Sequence, residues 1–302
     1  MGKIAFIFSG QGDQYPGMGK ELSAQYESAR KIYELCDSIR PGTSNQCFDG
    51  SDEELKETKN TQPCMFATEL AAVEVLYENG IKPDAVAGFS LGEVVATTVA
   101  GFTDKQTGFR LVCKRGELMQ SAAEKVDTSM AAVVKLGEDV LQGVCDKFEG
   151  IYPVNFNCPG QITVAGVSSQ MPEFFNAVKE VGGRAIPLKV KGGFHSPFMS
   201  DAAKSFAEEL KKVDFSAPQV PLYANLTAQP YGEDVVSTLS EQICNPVRWE
   251  KTIQNMIKDG VDTFIEIGPG KTLTNMVAKI DKTVKAYSVS DIETVLSEVK
   301  SC

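Results

Sequence analysis

Apolar positions along this chain alternate between two spacings. Ile4-Ala5-Phe6-Ile7-Phe8, closed by Ser9-Gly10, is a short continuous apolar run and predicts a buried first strand. From Gln62 onward, Phe66, Leu70, Val73, Leu76 and Tyr77 recur at helical spacing, and Asn79-Gly80 ends the run as a C-cap does. Ala85-Val86-Ala87 predicts a second buried strand, Glu93-Val94-Val95-Ala96 opens a helix, and a further apolar helix spans about Lys105 to Ala123. The polar stretch from Arg40 to Thr61 reads as a surface excursion carrying a short acidic helix.

The texture changes near residue 130. Strand Ala131 to Leu136, helix Glu138 to Phe148, strands Pro153 to Asn157 and Gln161 to Val167, helix Pro172 to Val181 and strand Ala185 to Val190 follow in order. That βαββαβ order predicts a ferredoxin-like unit at 127–195, inserted into an α/β core made of 1–126 and 196–302. Helix-strand alternation then resumes, with Pro221 to Asn225 and Thr263 to Ile267 as buried strands.

Composition narrows the function classes. A net charge of -10 argues against a nucleic-acid binder, which uses basic surface to displace counterions from phosphates. Eight cysteines, at 36, 47, 64, 113, 145, 158, 244 and 302, form no C-x-x-C pair, and one histidine leaves no zinc-ligand spacing, so reduced apolar thiols and no metal are expected. The segment Met1 to Gly10 is too soon broken by glycine for a signal peptide, and no apolar stretch nears the roughly 20 residues of a membrane span. A cytoplasmic protein without membrane contact is expected, with Asn225-Leu226-Thr227 a coincidental glycosylation sequon. Glycine clusters at Gly10-Gln11-Gly12 and Gly17-Met18-Gly19 lack the third glycine of a dinucleotide loop, and Gly270-Lys271-Thr272 lacks the glycine that opens a phosphate-binding loop.

The remaining chemistry converges on Gly88-Phe89-Ser90-Leu91-Gly92, a G-x-S-x-G run between the second strand and a helix. There a tight turn lifts the serine hydroxyl out of the sheet. A serine needs a base in hydrogen-bond reach, and the single histidine, His195, sits on a loop edge in Gly-Gly-Phe-His-Ser-Pro. The two lie on opposite sides of the inserted unit, which suggests a cleft between the units. The group that orients the imidazole stays open among Asp201, Glu180 and a backbone carbonyl. Arg115, on the apolar helix after the elbow, either closes a buried ion pair, the reading its helix favours, or grips a substrate carboxylate.

Taken together, the segments Phe8-Ser-Gly-Gln-Gly-Asp-Gln, Thr61-Gln-Pro, Gly88-Phe-Ser-Leu-Gly-Glu, Arg115-Gly-Glu-Leu-Met-Gln, Val154-Asn-Phe-Asn-Cys-Pro-Gly-Gln, Phe194-His-Ser, Asn245-Pro-Val-Arg-Trp and Glu266-Ile-Gly-Pro-Gly-Lys resemble, in order and over nearly the whole chain, the malonyl-CoA:acyl-carrier-protein transacylase family. The resemblance implies an α/β-hydrolase-like core with a ferredoxin-like insertion, Ser90 as nucleophile and His195 as base. It implies an oxyanion hole from the backbone N–H groups of Gln11 and Leu91, and the backbone carbonyl of Gln242 orienting the histidine. Arg115 would hold the malonyl carboxylate, reversing the ion-pair reading, and Asn157 and Gln62 would line the cleft. Malonyl-CoA and coenzyme A would be substrate and product, acyl carrier protein the partner, and fatty acid or polyketide synthesis the destination. No metal or redox cofactor is called for.

The chain departs from the family pattern at Phe89, where histidine is usual, and at Val94, where tyrosine is frequent. Phe194 resembles members that take malonyl rather than its branched homologue. Arg184, Lys189 and Lys191 are the candidate cations for an acidic carrier. The rival readings are a serine thioesterase or esterase with the same Ser90 and His195, and a catalytically idle docking subunit of a synthase.

Overall fold

The computed structural model describes residues 2–299. Its core sheet orders five parallel strands as β7-β2-β1-β8-β9. These are β1 (Lys3–Phe8), β2 (Ala85–Gly88), β7 (Leu222–Tyr223), β8 (Val261–Ile267) and β9 (Lys285–Ser288). Ala5 to Phe8 are fully buried, as a central parallel strand covered by helices on both faces must be, which is why β1 reads as an unbroken apolar run rather than an alternation.

The second sheet is antiparallel and orders β4-β5-β3-β6, from β3 (Thr128–Val134), β4 (Ile151–Cys158), β5 (Gln161–Val167) and β6 (Arg184–Lys191). Helices Glu138–Cys145 and Met171–Glu180 connect β3 to β4 and β5 to β6, giving the ferredoxin-like arrangement expected from the sequence. Pro153 lies within β4, which tolerates it because β4 is an edge strand. β3 ends before Leu136 because Lys135 takes a positive φ of 71° and donates its N–H to Gly160.

Other expectations shift for tertiary reasons. The Arg40 to Thr61 stretch is more than a surface excursion: helices Thr43–Asp49 and Asp52–Lys56 bury Thr43, Cys47 and Leu55 against the long helix Thr58–Glu78. That helix starts before Gln62 and runs through Pro63, its first N–H bonded to Gln120 Oε1 at 2.8 Å. β7 is shorter than the apolar run Pro221 to Asn225, because the chain turns at Ala224 and sends Asn225 toward the elbow. The N-terminus of helix Thr272–Ile280, the supposed end of a phosphate loop, is already occupied: Glu266 accepts from the N–H groups of Leu273 and Thr274. The seven described cysteines are free thiols, and Cys302 lies outside the described residues. Among the described residues no helix is long and apolar enough to cross a membrane.

At the carboxyl ends of β1 and β2 the backbone packs closely against the start of helix Gly92–Val99. A Cβ on Gly88 would run into the Gly92 backbone, and one on Gly92 into the carbonyl oxygen of Phe8, so the two glycines of G-x-S-x-G let helix Gly92–Val99 touch the neighbouring strand. Because backbone meets backbone at both places, nothing flexible can give. Gly92→Ala is therefore expected to destabilise the fold by about 2 kcal/mol or more; a thermal midpoint within a degree of the parent's would show that the elbow has slack.

Candidate active site

Ser90 sits at the apex of the elbow with φ 56°, a left-handed conformation that a non-glycine residue holds only when its surroundings impose it. Asn225 supplies the constraint: its Oδ1 accepts from the Ser90 N–H at 2.8 Å and its Nδ2 donates to the Gly88 carbonyl at 2.6 Å. The supposed sequon asparagine is thus fully buried and pins the turn.

His195 follows β6 on a loop that also forces a positive φ, 60°. Its Nε2 lies 2.7 Å from Ser90 Oγ, and its Nδ1 lies 2.8 Å from the Gln242 carbonyl oxygen. A carbonyl can only accept, so Nδ1 carries the proton and Nε2 keeps the lone pair that faces the serine. The alternatives are elsewhere: Asp201 lies 3.5 Å from Lys125 at the surface, and Glu180 is exposed at the end of its helix. Burial, with the Arg115 charge adding to it, pulls the His195 pKa down to about 4, so the imidazole is neutral at pH 7.

Arg115 is fully buried on helix Lys105–Ala123. Gly116 beside it lets this helix approach helix Thr58–Glu78, where a Cβ would come within 3.0 Å of the Thr58 carbonyl oxygen. The guanidinium donates to Gln62 Oε1 at 2.9 Å, to Gln242 Oε1 at 2.8 Å and to Ser90 Oγ at 3.3 Å, while its Nε has no partner. All three acceptors are neutral. Its nearest opposite charge acts through a relay: Gln242 Nε2 donates to Glu93 Oε2 at 2.8 Å. Burial pushes the Glu93 carboxyl up to about 7, against the bonds it accepts from Tyr231, Gln242 and Asn225. Arg115 itself falls only to about 10, again through burial, and so remains a cation.

Leu91 begins the turn into helix Gly92–Val99, ahead of the helix's own hydrogen bonds, and Gln11 lies on the loop leaving β1; neither N–H is taken up by the turn on which it sits. Gly10 packs on the Phe89 ring, where a Cβ would lie 2.9 Å from Cδ1, and that ring meets Trp249 edge-on at 5.5 Å between centroids. Where a histidine was usual, this chain has an apolar wedge between the elbow and the Gln11 loop. Val94 and Phe194 are buried. Asn157 is the expected residue least tied to the cluster: its Nδ2 donates to Thr163 Oγ1 across the β4–β5 hairpin, and its Oδ1 is buried without a partner.

Glu93, Asn225, Tyr231 and the side chain of Gln242 form a polar layer beneath the elbow that the sequence did not single out as functional. Glu93 was visible as the last residue of Gly88-Phe-Ser-Leu-Gly-Glu, but its partners lie over 130 positions away. Among the described residues no group of histidine, cysteine or carboxylate side chains is arranged to hold a metal.

Matches to known proteins identify the family of the chain. Residues 5–299 match the acyl transferase domain family. A malonyl CoA-acyl carrier protein transacylase of Bacillus subtilis strain 168 is 41% identical over 303 residues, 98% of this chain and 96% of that protein. The crystal structure of a malonyl CoA-acyl carrier protein transacylase from Clostridium perfringens superposes with a TM-score of 0.95 at 33% identity, covering 99% of this chain and 98% of the other. A malonyl-transacylase solved in complex with a type II polyketide acyl-carrier protein has a TM-score of 0.95 at 31% identity, covering 99% of this chain and 100% of that one. With a family model spanning the chain and relatives above 30% identity along its length, the chain belongs to the malonyl CoA-acyl carrier protein transacylase family of acyltransferases.

Proposed function

We propose that this enzyme moves a malonyl group from malonyl-CoA to the phosphopantetheine thiol of an acyl carrier protein, through a malonyl ester on Ser90, for fatty acid or polyketide synthesis. The observation that carries the reading is Arg115: a buried cation that touches only neutral acceptors and reaches to 3.3 Å from the Ser90 hydroxyl. A free carboxylate on the acyl group supplies the missing counter-charge, in bidentate form, at a fixed distance from the nucleophile. An acetyl or long-chain acyl group has nothing to offer there.

The steps follow from the atoms present. Ser90 Oγ attacks the thioester carbonyl as His195 Nε2 takes its proton, while the Gln11 and Leu91 N–H groups receive the developing oxyanion. The C–S bond breaks, His195 returns the proton to the departing coenzyme A sulfur, and the ester remains on Ser90. The carrier's thiol then repeats the sequence in reverse, losing its proton to His195 as its sulfur attacks the ester and leaves Ser90 protonated. Gln242 holds the imidazole through its carbonyl and Arg115 through its side chain; Gln62 fixes the other face of the guanidinium. Asn157 is assigned to the cleft wall. We place the enzyme in the cytoplasm, where the thioester substrates are made, and assign it no resident cofactor.

Brief mixing with malonyl-CoA should give a malonyl adduct by intact mass, absent in Ser90→Ala and discharged by holo carrier protein. Free coenzyme A accumulating with neither adduct nor acceptor would identify a thioesterase instead. Arg115→Ala should lower kcat/KM for malonyl-CoA about a hundredfold, the size expected when a charge-assisted pair is lost, and leave acetyl-CoA unaffected or improved. Equal losses on both donors would assign Arg115 to holding Ser90 rather than the substrate. Because His195 accepts a proton only when neutral and its pKa lies near 4, the acylation rate should stay on its plateau down through pH 5.5 and fall only as the pH approaches 4. An acid limb centred near 6.5 in stopped-flow acylation would mean that the imidazole is solvated in the working enzyme.

A further inference from the structure

β6 is the edge strand that leads into the His195 loop, and it does not pair evenly. While β3 advances from Ser129 to Ala131, β6 runs from Pro187 to Lys191, so Leu188, Lys189 and Val190 arch out of the ladder. Bulges of this kind re-aim side chains beside active sites. Here the arch forms one wall of a cavity of about 660 Å³ whose other walls are Gln11 and Gly12 of the β1 loop, Leu55, Lys56 and Thr58 of the short acidic helix and its successor, and Gln120. The cavity therefore begins at the residue assigned to the oxyanion hole. Along its floor, Thr58 is one helical turn from Gln62, which holds Arg115.

The electrostatics of this wall are opposite to those of the chain. Lys56, Lys189 and Lys191 line it and have no ion-pair partner among the described residues, whereas of the two acids there, Asp52 and Glu57, the latter is bonded to Lys59 at 2.9 Å. Lys189 and Lys191 are exposed, and both line the cavity along the arch. Leu55, Leu188 and Val190 give the cavity an apolar lining between that cationic rim and the amide side chains of Gln11 and Gln120. On a protein of net charge -10, three cations gathered around a cavity that starts at Gln11 call for a local explanation.

We propose that the β6 arch is the entry site for the phosphopantetheine arm, with Lys189 and Lys191 holding its phosphate and Leu188 and Val190 packing against its branched apolar segment. The inference rests on the malonyl-transfer reading and adds to it the recognition element common to both thiol substrates. Coenzyme A and the carrier's prosthetic arm share this phosphate, so a single site would serve both half-reactions.

The test compares the parent with Lys189→Ala/Lys191→Ala, on an exposed edge where folding is not at stake. Substrates are malonyl-CoA, holo carrier protein and malonyl-N-acetylcysteamine, a malonyl thioester without phosphate. The double variant should raise KM for malonyl-CoA and for the carrier about tenfold each, with kcat and the phosphate-free thioester unchanged, as expected for two lost charge-assisted contacts partly exposed to solvent. The rise should be reproduced in the parent by added salt. A KM effect on malonyl-CoA alone would mean that the lysines bind the nucleotide phosphates, and one on the carrier alone that they bind the carrier's protein surface; either overturns the shared-phosphate site, as does no effect. Calorimetric binding of phosphopantetheine against pantetheine reads the site without turnover. A preference for phosphopantetheine that vanishes in the variant sustains the site even if transfer from malonyl-CoA fails, in which case only the functional reading falls.

Discussion

A guanidinium buried without a carboxylate in contact is the constraint around which this site is built. Removing an ion from water costs several kcal/mol even after relaxation, and Arg115 recovers part of that through hydrogen bonds to Gln62, Gln242 and Ser90. The rest is shared with Glu93, reached through Gln242 rather than directly. A direct Arg–Glu pair would satisfy the charge and leave nothing for a substrate. With an amide between them, Glu93 keeps the cation tolerable in the apo enzyme, yet the guanidinium edge toward Ser90 stays available. Tyr231 and Asn225, which bond Glu93 from its other sides, belong to the same arrangement, since they decide how much charge Glu93 carries.

Gln242 joins the two halves of the chemistry. Its carbonyl fixes the His195 tautomer, its Oε1 receives Arg115, and its Nε2 donates to the Ser90 carbonyl, Glu93 and Asn225. Base, cation and nucleophile are thus held by one residue on a short 3₁₀ turn, Gln242–Cys244, and none can move far alone. Strain is placed consistently with this: Ser90 and His195, the residues assigned to proton transfer, both have positive φ, and each is held there by a bond from a distant segment, Asn225 to the one and Ile243 to the other.

The parts of this arrangement that the sequence revealed were those set by neighbours along the chain. The elbow needs glycines on either side of Ser90 because of backbone contacts within five residues and one adjacent strand, and the βαββαβ order shows in local periodicity. His195 was identifiable because it is unique. Asn225 looked like a stray sequon, and Tyr231 drew no notice, because their meaning comes from Glu93 and Ser90, far away in sequence. The Arg40 to Thr61 stretch misled for a related reason: its polarity is real, but Thr43, Cys47 and Leu55 find cover only once helix Thr58–Glu78 is in place. The helix of Arg115 suggests an ion pair and the family resemblance a substrate grip; the carboxylate of Glu93 is present, but Gln242 stands between it and the guanidinium.

A serine and a histidine without a third acid also fit the bond being exchanged. An aspartate behind the imidazole raises its basicity and stabilises the imidazolium, which matters when the leaving group is a poor one such as an amine. Here burial and Arg115 act in the other direction, holding the imidazole pKa near 4. A thiol leaves with a pKa of about 8.5, so the departing sulfur needs little protonation, and the entering thiol is acidic enough to give up its proton to a weak base. Water and the Ser90 hydroxyl hold their protons far more tightly than a thiol does, but the fold fixes Ser90 at 2.7 Å from the weak base. A weak, well-placed histidine beside a fixed cation therefore favours exchange between thioesters over hydrolysis, and in the proposed mechanism a carbonyl rather than a carboxylate behind His195 helps the ester on Ser90 to survive until its acceptor arrives.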